Sequence, residues 1–223
     1  MRFYIILLTF ITISFGSIAQ TTPVLKNALD SFSYAMGVSV GSFCNKQQIA
    51  DINTGMVLKG ISDGQAGGKS LLTEQQVNTV ISNYLSLQNK QRANANKLEG
   101  QKFFATNAKK PGVITTASGL QYEVLKTGAD TTRPKLTDKV KCHYHGTLLD
   151  GTIFDSSVDR GQPAEFYLTR VIAGWTEALR LMTVGSKWRL YLPSEIGYGD
   201  KGSGPIPPGA TLVFDLELLG IVK

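Results

Sequence analysis

The chain has 223 residues, 42% of them hydrophobic and 18% charged, with 23 Gly and 8 Pro, so it can fill the core of one or two domains and is neither collagen-like nor disordered throughout. Two cysteines exclude a disulfide-dense scaffold and a four-cysteine zinc site. The formal net charge of +6 hints at nucleic acid until it is partitioned: residues 20–112 carry ten Lys+Arg against five Asp+Glu, and residues 113–223 carry twelve of each, so no nucleic-acid partner is expected.

Met1-Arg2 precedes an apolar run from Phe3 to Ile13, and small Ser17 and Ala19 then stand where a signal peptidase reads. The run is shorter than the roughly 20 residues of a membrane-spanning helix. Residues 1–19 are therefore read as a signal peptide cleaved near Ala19, and the mature protein is expected to be exported: periplasmic, or associated with the outer membrane. No Cys follows the site, which disfavours a lipoprotein. Cys142 alternates with Val140 and Tyr144 on an apolar strand face, where a thiol behaves as a small hydrophobe, and it is not expected to pair with Cys44.

Leu29, Phe32, Met36, Val40 and Phe43 form a helical stripe that ends near Asn45, and Ile49, Ile52, Met56, Val57 and Ile61 form a second. So small a unit cannot bury both stripes by itself. Residues 20–72 are read as an all-α dimerisation domain. Thr73 and Gln76 make a capping box, with Leu72 and Val77 as a hydrophobic staple, and start a proline-free helix from Glu74 to about Asn107. Residues 73–112 are thus a long linking helix. Its first half is apolar on one face, whereas Gln88 to Lys102 is polar all round and reads as a solvent-bridging spacer. Pro111-Gly112 stops it.

Beyond, short strands are expected at Gly119–Leu125, Asp138–His145, Ala164–Leu168, Lys187–Pro193 and Thr211–Ile221, with one helix at Gly174–Met182. Residues 113–223 are read as an antiparallel sheet wrapped around that short helix, an α+β plan.

Most chemistry-bearing patterns weigh little. Gly64 to Ser70 lacks the first glycine and the preceding strand of a phosphate loop. His143 and His145 share a strand face with no third ligand and read as a solvent-facing pair. Asp150-Gly151 reads as a hairpin turn. No serine sits in a nucleophile elbow, and neither cysteine has a histidine partner. What remains is a concentration of aromatic and branched residues at strand and loop ends: Tyr144, Phe154, Phe166, Val171, Ile172, Trp175, Tyr198, Ile206 and Phe214.

In the order HYHGTLLDGTIFDSS, VIAGWTEAL and IGYGDKGSGPIPPGATLVFDLELL, residues 113–223 closely resemble the FKBP family of peptidyl-prolyl isomerases. DSFSYAMGVSVG, KGISDG, LLTEQQ and PGVITTASGLQY in the first half are similar to the dimerisation domain of its macrophage infectivity potentiator subgroup. The resemblance implies proline-containing polypeptide clients, a homodimer formed through residues 20–72 and part of the long helix, macrolide inhibitor binding, and no metal or cofactor. It places Tyr144, Phe154, Asp155 and Tyr198 in catalysis, and Phe166, Val171, Ile172, Trp175, Ile206 and Phe214 around the proline, with Trp175 as the floor. Tyr198 would donate its hydroxyl to a substrate carbonyl, the Ile172 N–H would supply a second donor, and Asp155 would orient the polar edge. Ala164 stands where many relatives have an aromatic residue, the Phe166–Val171 loop is short, and no bulky residue precedes Ile206 in the loop from Asp200. These departures bear on macrolide affinity and on the preference for the residue before proline. The rival reading is a non-catalytic dimeric chaperone or adaptor that grips clients through the same apolar pocket.

Overall fold

The computed structural model describes residues 24–67 and 70–222, so the leader, and Gly68 and Lys69 of the glycine-rich turn, lie outside the described residues. The chain divides into two compact units, up to Ser70 and from Leu71 onward. The first holds α1 (Ala28–Lys46) and α2 (Thr54–Gln65). Asn27 caps α1, its side-chain oxygen accepting the Asp30 N–H at 2.9 Å, and Asn53 caps α2 by accepting the Met56 N–H at 3.1 Å. The second helix therefore starts at Thr54 and not at Ile49, because the hydrophobic periodicity runs back past the residue able to satisfy the first-turn amides. Of both helices only Cys44 is buried; Leu29, Phe32, Met36 and Met56 are more than half exposed.

In the second unit α3 spans Glu74–Asn107, and the reciprocal Thr73–Gln76 capping box is formed, at 3.2 and 2.8 Å. The spacer reading of its second half needs correction. Ala93, Gly100 and Asn107, seven residues apart, are buried on one face. There Asn96 Nδ2 donates to the Pro208 carbonyl at 2.8 Å, Phe103 packs on Tyr191 with ring centroids 5.4 Å apart, and Asn107 Nδ2 donates to Gln121 Oε1 at 2.9 Å. Small residues let backbones approach and amides bond across the gap, so this face packs without the apolar bulk that marks an amphipathic stripe.

The sheet comprises β1 (Val113–Thr115), β2 (Gln121–Lys126), β3 (Lys139–Thr147), β4 (Ile153–Ser156), β5 (Ala164–Tyr167), β6 (Lys187–Leu192) and β7 (Leu212–Val222). Its order is β1-β2-β6-β7-β3-β4, with β5 also on β3, and every pairing is antiparallel. Strands β1 and β4, of three and four residues, have no expected counterpart; both are too short to carry a period-2 pattern. Helix α4 (Ala173–Leu181) lies against the sheet, burying Trp175, Ala178 and Leu179 with Leu120, Val140, Cys142, Leu190 and Leu216. Each such fully buried leucine contributes about 1.5–3 kcal/mol of transfer free energy.

Candidate active site

Alternation along β3 turns Val140, Cys142 and Tyr144 inward, and burial pushes the Cys142 thiol up to about 12, so it is an inert core residue. Central β7 contributes Phe214, β4 adds Phe154 and Asp155, and β5 adds Phe166. A 3-10 turn at Leu168–Arg170 leads through Val171 to Ile172, the N-cap of α4, and so brings Trp175 to the end of the helix nearest these rings.

Trp175 is 5% exposed and meets three rings edge to face: Tyr144 at 5.2 Å and 78°, Phe166 at 5.5 Å and 89°, and Phe214 at 5.2 Å and 76°. Phe154 stands against Phe214 at 5.4 Å and 84°. The result is a cavity of about 550 Å³ lined by all ten residues singled out from the sequence. Arg170, Ser203, Gly204 and Pro205 line it too; the last three lie within the motif IGYGDKGSGPIPPGATLVFDLELL, but none of the four was singled out.

One edge of this cup is polar. The Tyr144 hydroxyl donates to Asp155 Oδ2 at 2.5 Å, Arg160 Nη2 donates to the Tyr144 oxygen at 2.8 Å, and Arg160 Nη1 bonds Asp155 Oδ1. Sequence reasoning missed Arg160, which sits in an unpatterned turn; the five-residue spacing from Asp155 was the available signal. Burial alone would raise the Asp155 carboxyl, but the hydrogen bonds from Tyr144 and Arg160 and the guanidinium charge outweigh it and hold the group below the ordinary carboxylate range. Burial, and then the neighbouring Asp155 charge, push the Tyr198 phenol up, which keeps it a donor at neutral pH. The site therefore offers a buried aromatic floor, fixed polar groups on one edge and a phenol that can donate.

The histidines lie apart from this cavity and are half-buried rather than solvent-facing: His143 Nδ1 is 3.1 Å from Ser157 Oγ and His145 Nδ1 is 3.0 Å from Ser156 Oγ. Ser156 ends β4 opposite His145, and the Ser157 N–H then donates to the Tyr144 carbonyl, which keeps both serines against the strand.

A preformed apolar cup with a few polar groups at its edge has the form of a small-ligand site. Residues 130–219 match the family model described as FKBP-type peptidyl-prolyl cis-trans isomerase, and residues 29–124 match that of the domain amino terminal to it. The chain is 46% identical to the FKBP-type peptidyl-prolyl cis-trans isomerase FkpA of Aeromonas hydrophila, over 89% of this chain and 78% of that one. It is 38% identical to the outer membrane protein MIP of Legionella longbeachae, over 92% and 91%. A crystal structure of FkpA from Escherichia coli superposes with a TM-score of 0.67 at 34% identity, covering 89% of this chain and 98% of that one. The chain belongs to the FKBP-type peptidyl-prolyl cis-trans isomerases, with an amino-terminal helical domain ahead of the FKBP-like domain. It is an enzyme, and the non-catalytic adaptor is not favoured.

Proposed function

We propose that the chain isomerises X-Pro bonds in exported polypeptides by desolvating the proline amide over Trp175. Rotation about the C–N bond faces a barrier of about 18–20 kcal/mol set by amide resonance, which gives uncatalysed times of tens to hundreds of seconds. The planar amide is polar and well hydrated; the twisted transition state is less so and loses less on entering an apolar cup. An acceleration of about 10⁴- to 10⁶-fold requires only about 5.5–8 kcal/mol. Burial of the ring supplies part of this, and hydrogen bonds from Tyr198 Oη and the Ile172 N–H to substrate carbonyls supply the rest. Tyr144, Asp155 and Arg160 hold the polar edge rigid, so little is spent on reorganisation. The observation that carries the reading is the floor of Trp175 walled by three perpendicular rings. Proline-limited refolding of a model protein tests it: wild type accelerates the slow phase, and Phe154→Ala and Asp155→Ala do so less. Equal rates for all three would remove it.

Two further parts belong to the same proposal. The exposed apolar faces of α1 and α2 are the surface of a homodimer, and on α3 Val80, Ile81 and Leu87 are exposed as well. The leader directs export, in keeping with the name of the Legionella relative. Among the described residues no helix is long and apolar enough to cross a membrane. Amino-terminal sequencing of the secreted protein should begin at Gln20.

A further inference from the structure

The connection from Tyr198 to Ala210 forms one wall of the proline pocket through Tyr198, Ser203, Gly204, Pro205 and Ile206. Within it, Lys201 and Ser203 to Pro205 are exposed, and the backbone is tied by a Ser203–Ile206 bridge and by the Gly209 N–H donating to the Gly199 carbonyl at 2.9 Å. The exposed part of this connection is where local opening concentrates. Both ends of this one rest on α3. Lys97 Nζ lies 2.5 Å from Asp200 Oδ1 and 3.2 Å from Glu195 Oε1, and Asn96 Nδ2 donates to the Pro208 carbonyl at 2.8 Å. Gly209, at φ +69°, sits so close to α3 that a Cβ would collide with the Ala93 backbone. Asp200 is two residues from Tyr198 and Pro208 two from Ile206, so Lys97 is linked to the phenol donor through Asp200, and Asn96 to the Ile206 side chain through Pro208. The Lys97 ammonium is held above the ordinary lysine range by its hydrogen bonds to Asp200 and then Glu195.

We propose that Asn96 and Lys97 of the long helix are positioning residues for the isomerisation: they seat the Tyr198–Ile206 wall before substrate arrives. The proposal rests on the roles given above to Tyr198 and Ile206. If the wall is loosened, substrate must order it on binding, and the loss falls on KM; once substrate is seated the pocket is unchanged, and kcat is kept. Because Asp200 and Glu195 are well exposed, the clamp is weak and screened by salt.

The test uses the full chain and an uncharged proline-containing peptide. Lys97→Met and Asn96→Ala should each raise KM about two- to fivefold with kcat within about twofold, and Lys97→Arg should restore it. Amide exchange at Ser203, Ile206 and Gly209 should quicken in both variants while β6 and β7 keep their protection. Salt at about 1 M, where the Debye length is about 3 Å, should raise the wild-type KM toward that of Lys97→Met and leave Lys97→Met unmoved. Unaltered KM in both variants, or lowered thermal stability with loop exchange and KM unaltered, overturns the proposal. A wild type that does not turn the peptide over overturns the isomerase reading instead, and exchange at the three amides then decides the seating by itself.

Discussion

Gly146 of β3 and Phe154 of β4 approach so closely that a Cβ on the glycine would lie 2.7 Å from the Phe154 ring and 2.8 Å from Phe214. The absent side chain is what lets these two rings meet edge to face at the back of the pocket. Gly146→Ala should therefore displace Phe154. Overpacking of this kind costs about 1–3 kcal/mol, and kcat/KM should fall about tenfold, read from a denaturant midpoint and a peptide assay on the same protein. Unchanged activity would mean that the position of Phe154 is immaterial.

Trp175 matters through its area. Trp175→Ala empties a buried site at a cost of about 3–5 kcal/mol, so lost stability would imitate lost catalysis. Trp175→Leu keeps an apolar floor and is the cleaner probe, with kcat/KM reduced about 10- to 100-fold and the fold retained by circular dichroism. Titration with rapamycin should quench or shift Trp175 emission; Trp188, stacked on Tyr122 at 4.2 Å, adds a background that Trp188→Phe removes.

The polar edge should respond asymmetrically to deletion. Arg160→Met leaves the Tyr144–Asp155 bond in place, whereas Asp155→Ala removes the acceptor of both the Tyr144 hydroxyl and Arg160 Nη1 and leaves the Arg160 Nη2–Tyr144 bond alone. Asp155→Ala should cost about tenfold in kcat/KM and Arg160→Met about threefold. Because Asp155 and Arg160 are each about half exposed, neither change should lower stability by more than about 1 kcal/mol in thermal melts.

With the Asp155 carboxyl held low and the Tyr144 and Tyr198 phenols held high, kcat/KM should be flat between about pH 5 and 9. The Asp155 carboxyl is held low, so its folded-state stabilisation is complete above the ordinary carboxylate value and is lost only as pH falls through the depressed one. Asp215 behaves likewise, lowered chiefly by its bidentate bonds to Arg189 at 2.6 and 2.8 Å. The Tyr144 and Tyr198 phenols are both raised, the first by burial and then by its bond to Asp155, and stay protonated across this range. A bell-shaped profile would place the chemistry elsewhere.

The full chain should scatter light as a dimer at micromolar concentration, and residues 113–223 as a folded monomer. The exposed stripes of α1 and α2 lie outside that fragment. A monomeric full chain would leave those apolar faces unexplained.

The start of the long helix was legible to the residue and its end approximately, because the signals are local: Thr73 and Gln76 satisfy first-turn amides within one turn, and Pro111-Gly112 bars its continuation. The ten pocket residues were legible only as an ordered set of motifs, since nothing in the spacing of Tyr144, Trp175 and Phe214 states that they touch. Tertiary structure decided the rest. Arg160 joins Tyr144 and Asp155 through a turn without periodicity. The polar half of α3 becomes a packing face because Gly209 allows contact at backbone distance, Gly100 makes room for the Thr211 side chain, Asn96 and Lys97 find partners far along the chain, and Asn107 pairs with Gln121. Hydrophobic periodicity reports which face avoids water; it carries no record of a hydrogen bond between residues 112 positions apart, whose worth depends on geometry that exists only once the sheet has closed.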